Sequence, residues 1–193
     1  MKPKLIVTGY ARHGKDTVCE MLTEYGYNFK SSSEFVGKKV VYPVLKDKYN
    51  YQSWEECYKD RVNHRSEWFD LIAEYNAEDK GRLGRELFEE YDIYCGIRNE
   101  EELMALLPEE LLLIWVDAQR RLQTVEDSSS MTIDRDKMPF IIDNNGTLED
   151  LKYRVELLAQ IIDANRGDRF IFDQVRPKTE TIKFGDRGDR DGY

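Results

Sequence analysis

The sequence predicts an α/β domain, a parallel sheet of about five strands covered on both faces by helices. Short apolar runs rich in β-branched residues alternate with segments of helical periodicity, the pattern of successive βα units. The first run, Lys4–Thr8, ends at Gly9 in a loop that opens directly into an amphipathic helix. A later run, Leu111–Val116 (Leu-Leu-Leu-Ile-Trp-Val), is apolar at every position, as a strand buried on both faces requires.

Taken in order, Lys4–Thr8 is the first strand and Lys15 to about Glu24 the helix after it. Val18, Met21 and Leu22 recur there at helical spacing, with Asp16 and Thr17 in the first turn. Tyr27–Ser31 reads as a second short strand, and Ser31-Ser32-Ser33 as a turn and N-cap. Glu34–Tyr42 reads as a helix that Pro43 interrupts. From Ser53 to Ala77 the residues Trp54, Cys57, Tyr58, Val62, Trp68, Leu71, Ile72 and Tyr75 recur with helical period. Leu83, Leu87 and Phe88 repeat it over Lys80–Tyr91. Ile93–Ile97 is the third strand, Glu100–Leu107 a helix stopped by Pro108, and Leu111–Val116 the fourth strand. Gln119–Met138 is polar and rich in Arg, Ser and Asp; Pro139–Ile142 is the last strand and Leu148–Ile162 an amphipathic helix. Beyond Asn165, Gly, Arg and Asp alternate, with too little apolar surface to offset the entropy of ordering. The domain is therefore expected to span 1–164, with a flexible charged tail over 165–193.

The chain of 193 residues is long enough for one domain with a substantial core. A net charge of −9 argues against a general nucleic-acid binder, which needs a broad basic face. An acidic protein can still bind anionic nucleotides through a local cationic pocket. No apolar run approaches the roughly 20 residues that span a bilayer, and the N-terminus runs straight into a strand with no signal peptide. Cys19, Cys57 and Cys95 are odd in number and far apart, which suits free thiols packed in a reducing, cytoplasmic compartment. With His13 and His64 they match no zinc spacing.

Gly9-Tyr10-Ala11-Arg12-His13-Gly14-Lys15-Asp16-Thr17 fits a physical need. Glycines let backbone N–H groups turn inward around an anion, and the following helix presents its positive N-terminus to the same point. Gly9, Ala11, Arg12, His13, Gly14, Lys15, Asp16 and Thr17 are thus the expected ATP-phosphate contacts, with Lys15 reaching the β- and γ-phosphates. Asp16 stands where Ser or Thr ordinarily ligates magnesium. Either Asp16 binds the metal, directly or through water, or Thr17 takes a shifted role.

The chain resembles the bacteriophage deoxynucleoside monophosphate kinases, a branch of the P-loop nucleotide kinases. Three segments in order carry the resemblance: Gly14-Lys15-Asp16-Thr17, Tyr94-Cys95-Gly96-Ile97-Arg98-Asn99-Glu100-Glu101, and Ile141-Ile142-Asp143-Asn144-Asn145-Gly146-Thr147-Leu148-Glu149-Asp150-Leu151. It runs from about Leu5 to Ile162. It implies a P-loop kinase-type fold with a helical acceptor-binding insert (about 33–91) and an arginine-bearing lid (about 119–138). It also implies ATP with Mg2+ as donor, a deoxynucleoside monophosphate as acceptor, and an adenine-side loop containing Asn144 and Gly146. A homodimer is compatible with it, although the amphipathic helices are equally explained by a monomer core. Relatives often carry an aspartate where this chain has Gly96; Asp117, at the end of the fourth strand, is a candidate substitute.

Phosphoryl transfer needs positioning and charge neutralisation more than acid–base chemistry, so arginines and the loop lysine are the residues to seek. Lys15, Arg98, Arg120 and Arg121 are the catalytic candidates. Arg98 follows a buried strand, where open sheets bind ligands, and its fork suits a phosphate monoester; the alternative is an ion pair with Glu101 or Glu102. Arg120 and Arg121 follow the fourth strand as lid arginines would, with Glu126–Ser130 as lid tip. Arg61 and Arg65 are spaced i, i+4 with Trp68 one turn on. Ser32, Arg65, Trp68 and Arg98 are the expected acceptor contacts, while Arg61, Arg82 and Arg85 suit surface pairs better. Thr147 suits an N-cap of the last helix. Rival readings are a kinase for another acceptor (a nucleoside, dephospho-coenzyme A, a polynucleotide end) and a non-catalytic nucleotide-dependent switch.

Overall fold

β1 (Lys4–Thr8) lies in the middle of the sheet, with Leu5, Ile6, Val7 and Thr8 wholly removed from solvent. The computed structural model describes residues 2–107, 111–122, 131–165 and 182–183. Within them, β2 (Phe29–Ser31), β3 (Ile93–Cys95), β4 (Leu111–Asp117), β5 (Phe140–Asp143) and β6 (Ile182–Lys183) complete a parallel sheet in the order β2-β3-β1-β4-β5-β6. The expected α/β class is the observed one. Five strands fall close to their expected places; the sixth is a correction, because Ile182–Lys183 lies in the tail expected to be flexible and pairs with Phe140 and Ile141 of β5. The rest of that tail, Phe170-Ile171-Phe172 included, lies outside the described residues.

Strand alternation divides the core into two layers. Leu112, Ile114 and Val116 of β4 join Leu5, Val7, Phe140 and Ile142 on one face. There they pack on Val18, Cys19 and Leu22 of α1 (Lys15–Thr23) and on Leu151, Val155, Leu158 and Ile162 of α9 (Leu148–Ala164). Leu111, Leu113 and Trp115 face the other way, with Ile6, Tyr94 and Ile141. Each fully buried aliphatic side chain is worth about 1.5–3 kcal/mol, so this doubly covered strand is a principal anchor of the fold. Thr147 caps α9 in a reciprocal box with Asp150, as its position suggested.

Between β2 and β3 the chain forms α2 (Ser32–Val36), a π turn (Gly37–Val41), α3 (Tyr42–Tyr49), α4 (Trp54–Asp60), α5 (Arg65–Tyr75) and α6 (Arg82–Glu90). The long periodic stretch Ser53–Ala77 is therefore two helices rather than one. The break follows from Asp60, whose carboxylate gathers the Tyr51 hydroxyl (2.6 Å), the Asn63 amide (2.6 Å) and the His64 ring (3.1 Å). Arg61 ends α4 and Arg65 starts α5, so the two arginines do not share a helix face as their spacing suggested. Pro43 does not end the helix; it falls in the first turn of α3, directly after the π turn, and the chain stays helical from Ser32 to Tyr49.

α7 (Glu100–Leu106) starts at Asn99, whose side chain accepts from Glu102 N–H. α8 (Gln119–Leu122) follows β4, and a 3-10 turn (Arg135–Lys137) precedes β5. The proposed lid tip Glu126–Ser130 lies outside the described residues. Met131, Ile133 and Met138, later in the sequence, are buried in the core, so the C-terminal part of the expected lid is docked. No described helix is long and apolar enough to cross a membrane.

Candidate active site

The loop between β1 and α1 is clamped against the carboxyl edges of β4 and β5. Gly9 passes so close to β4 that an added Cβ would stand 2.4 Å from the Val116 carbonyl oxygen. His13, 1% exposed, accepts the Ala118 N–H on Nδ1 at 3.0 Å. A peptide N–H can only donate, so Nδ1 is the unprotonated ring nitrogen, and its 3.2 Å approach to Val116 O is a packing contact. The His13 carbonyl accepts from the Asn144 side-chain amide at 2.8 Å. Tyr10 meets both His13 and Trp115 edge to face, with centroids 5.5 and 5.3 Å apart.

Lys15 donates to the Tyr10 carbonyl at 2.8 Å and so bridges the two ends of the loop. Gly14, at φ 90°, is the N-cap of α1 and brings no capping side chain. The first-turn N–H groups of a helix lack intrahelical acceptors, which suits them to an anion. Arg12 adopts φ 64° and is exposed, as is Ala11. Asp16 is exposed in the first turn and Thr17 half-buried.

The Cys95 thiol donates to Asp16 Oδ1 at 3.5 Å, and Cys19 lies against Cys95 beneath it. Burial, reinforced by the hydrogen bond to Cys95, pushes the Cys19 thiol well above the usual thiol range. All three cysteines are free and buried, consistent with packing roles.

The exit of β3 is fixed from several sides. Thr8 Oγ1 donates to Ile97 O at 2.6 Å, Gly96 N–H to Val7 O at 2.9 Å, and Thr132 N–H to Arg98 O at 3.0 Å. Arg98 is half-buried at this edge. Glu102, one of its suggested ion-pair partners, accepts instead from the Tyr94 hydroxyl, and burial raises its carboxyl above the ordinary glutamate value. Gly96 has φ 97°, a backbone conformation that aspartate adopts only with strain. Its open side faces Ser32, whose Oγ lies 3.4 Å from where a Cβ would be.

At the β2 edge a polar cluster forms that the sequence did not single out. Ser31 and Ser33 hydroxyls are 2.9 Å apart, Ser33 is 3.1 Å from the Tyr58 hydroxyl, and Arg61 reaches Ser33 at 3.5 Å while stacked 4.0 Å over the Tyr58 ring. Arg61, not Arg65, is thus the arginine brought to this edge; Arg65 is exposed at the start of α5. Trp68 is 6% exposed and packs on the backbone of Gly37, where an added Cβ would stand 2.7 Å from its ring. It is a core residue, not a platform for a base. Arg82 pairs with Glu86 at 3.2 Å and Arg85 with Asp79, the surface pairing expected of them.

Beyond β4, Arg120 is exposed and pairs with Asp143 at 2.7 Å, and Arg121 donates to the Asn144 carbonyl at 3.2 Å. Both currently brace the loop after β5. Asp117 is held at Oδ2 by Arg135 (2.8 Å) and at Oδ1 by the Gln119 N–H (2.9 Å). The candidate substitute carboxylate is therefore engaged in an ion pair. Gly146 lies against Asp150 of the α9 cap. Among the described residues no group of three or more His, Cys, Asp or Glu could hold a metal ion. Magnesium is compatible with that, since it takes one or two protein carboxylates and fills its shell with phosphate oxygens and water; Asp16 is the exposed carboxylate in the first turn of α1.

No family model matches the chain, nor does any curated protein. Among solved structures the chain is similar to a gluconokinase from Sinorhizobium meliloti 1021, at 14% identity and a TM-score of 0.43, over 85% of this chain and 97% of that one. A likeness of that degree carries no weight for substrate or chemistry.

Proposed function

We propose that the chain is an ATP-dependent phosphotransferase that converts a deoxynucleoside monophosphate to its diphosphate. The supporting observation is the clamped loop Gly9–Thr17, set beside Arg98 and the Ser33–Tyr58–Arg61 cluster along one carboxyl edge of a parallel sheet. That edge is where open α/β sheets bind ligands.

On this reading the loop N–H groups and Lys15 hold the β- and γ-phosphates of ATP. Asp16, with Thr17 beside it, would hold magnesium, whose charge would neutralise the phosphate oxygens of ATP. Arg98 and Arg61 grip the acceptor phosphate, with Ser32 and Ser33 as neutral donors, and Arg98 supplies the fork that matches two phosphate oxygens. Half-buried Trp54 and Tyr58 offer aromatic surface nearby. Arg120 and Arg121 exchange their present partners for the transferring phosphoryl group when the lid closes. The partners are small molecules, ATP and the monophosphate, and the expected compartment is the cytoplasm.

The test is a panel of the common deoxynucleoside monophosphates with ATP and magnesium, read as diphosphate formed. The proposal expects product with at least one base and severe loss in Arg98→Ala. A nucleotide-dependent switch would give slow ATP hydrolysis unaffected by any monophosphate, with Arg98 dispensable.

A further inference from the structure

His13, in the loop between β1 and α1, is gripped from two neighbouring strands at once. Its ring is fixed by the Ala118 N–H beyond β4, and its carbonyl by the side-chain amide of Asn144 beyond β5. Asn144 has little freedom itself. It is 8% exposed, its N–H donates to Asp117 O at 2.6 Å, and its carbonyl accepts from Arg121. Because a carbonyl can only accept, the amide must present nitrogen, not oxygen, to His13.

The next peptide group explains what this contact does. The described chain contains no cis peptide bond. In a planar trans peptide the C=O and N–H point in opposite directions. Tying the His13 oxygen to Asn144 therefore turns the Gly14 N–H away from Asn144. Gly14 is free to let that peptide rotate, since its φ of 90° is a glycine conformation. A rotated peptide would present a carbonyl dipole to an anion where a donor is needed. Gly14 also allows the close approach, because an added Cβ would stand 2.4 Å from the Asn144 amide nitrogen.

We propose that Asn144 is a positioning residue for phosphate binding: its amide sets the His13–Gly14 peptide so that the Gly14 N–H faces the anion. The proposal rests on the reading of Gly9–Thr17 as a phosphate site, and it puts the Asn144 side chain on the phosphate side rather than the adenine side of the nucleotide.

The test uses the full chain and calorimetric binding of inorganic tripolyphosphate, ATP and adenosine. Asn144→Asp keeps the shape but replaces the donor with an acceptor; Asn144→Ala removes both. Each folded variant is expected to bind tripolyphosphate and ATP about tenfold or more weakly, with adenosine unchanged. The deficit of Asn144→Asp relative to the parent is expected to shrink as pH falls from 7 to about 4, because the introduced carboxyl becomes a donor again when protonated. Asn144→Ala, which has no proton to regain, should show no such recovery. If the parent fails to bind tripolyphosphate, the phosphate-loop reading falls and takes this inference with it. If the parent binds and both variants bind equally well, the inference alone is overturned. Loss of adenosine binding with tripolyphosphate unaffected also overturns it, in favour of an adenine-side contact. Circular dichroism of each variant verifies that it is folded before binding is compared.

Discussion

Thr8→Val removes one hydroxyl from the floor of the site while keeping the side-chain shape. Thr8 is wholly buried, and its Oγ1 donates to the Ile97 carbonyl at 2.6 Å. A buried hydrogen bond contributes about 1 kcal/mol net, and an acceptor left unpaired brings the loss to about 1–3 kcal/mol. Taking about 2 kcal/mol, a chain of this size should melt about 4–8 °C lower. The Ile97 carbonyl lies one residue before Arg98, so the acceptor side should also suffer. The expected kinetics are kcat/KM for the monophosphate lower by about tenfold, with the KM for ATP changed by less than about twofold. Thermal denaturation and initial rates under saturation of each substrate in turn provide both readouts. A melting temperature within about 1 °C of the parent would refute the energetic part of the reasoning. Equal losses on both substrates would refute the claim that this bond serves the Arg98 edge.

Gly96→Asp places a carboxylate at φ 97°, and should destabilise by about 1–2 kcal/mol without improving magnesium dependence; urea unfolding and a magnesium titration of the rate measure both. Glu102→Gln isolates a titration. Burial raises the folded-state carboxyl above its ordinary value, so the protonated form stabilises the fold below about pH 4.3 and that stabilisation is lost as pH rises through the raised value. The difference in stability between Glu102→Gln and the parent should therefore grow with pH over that interval and then level off, which denaturant melts from pH 4 upward would show. Trp68→Ala should cost about 3–5 kcal/mol as a core truncation, read by urea unfolding; unchanged stability with a raised KM for the monophosphate would restore it to the acceptor site.

The strands and the loop between β1 and α1 are legible because their signals are local. Lys4–Thr8 and Leu111–Val116 are apolar at successive positions, and Gly9 to Lys15 has the spacing an anion loop needs. The helical insert was less legible for a definite reason. Apolar periodicity ran unbroken through Ser53–Ala77, whereas the break is made by a carboxylate, Asp60, collecting partners from Tyr51, Asn63 and His64. Periodicity registers packing and is blind to such side-chain turns. Spacing alone puts Arg61 on one exposed helix face with Arg65, whereas its stacking on Tyr58 carries it to the β2 edge. The sequence pattern leaves Trp68 available to a base because its burial depends on Gly37, thirty-one residues earlier in sequence, which leaves no local trace. Asn144 belongs to a legible segment, yet its contact with His13 joins positions far apart in the chain, and only the folded sheet brings them together.

The central claim is that the Gly9–Thr17 loop and the Arg98 edge together move a phosphoryl group onto a monophosphate. Transfer of label from γ-labelled ATP, measured in parallel for the parent, Lys15→Ala and Arg98→Ala, addresses it most directly. Labelled deoxynucleoside diphosphate from the parent, none from Lys15→Ala and a severely reduced yield from Arg98→Ala is the predicted result. Label released only as inorganic phosphate, at a rate no deoxynucleoside monophosphate alters, would contradict it.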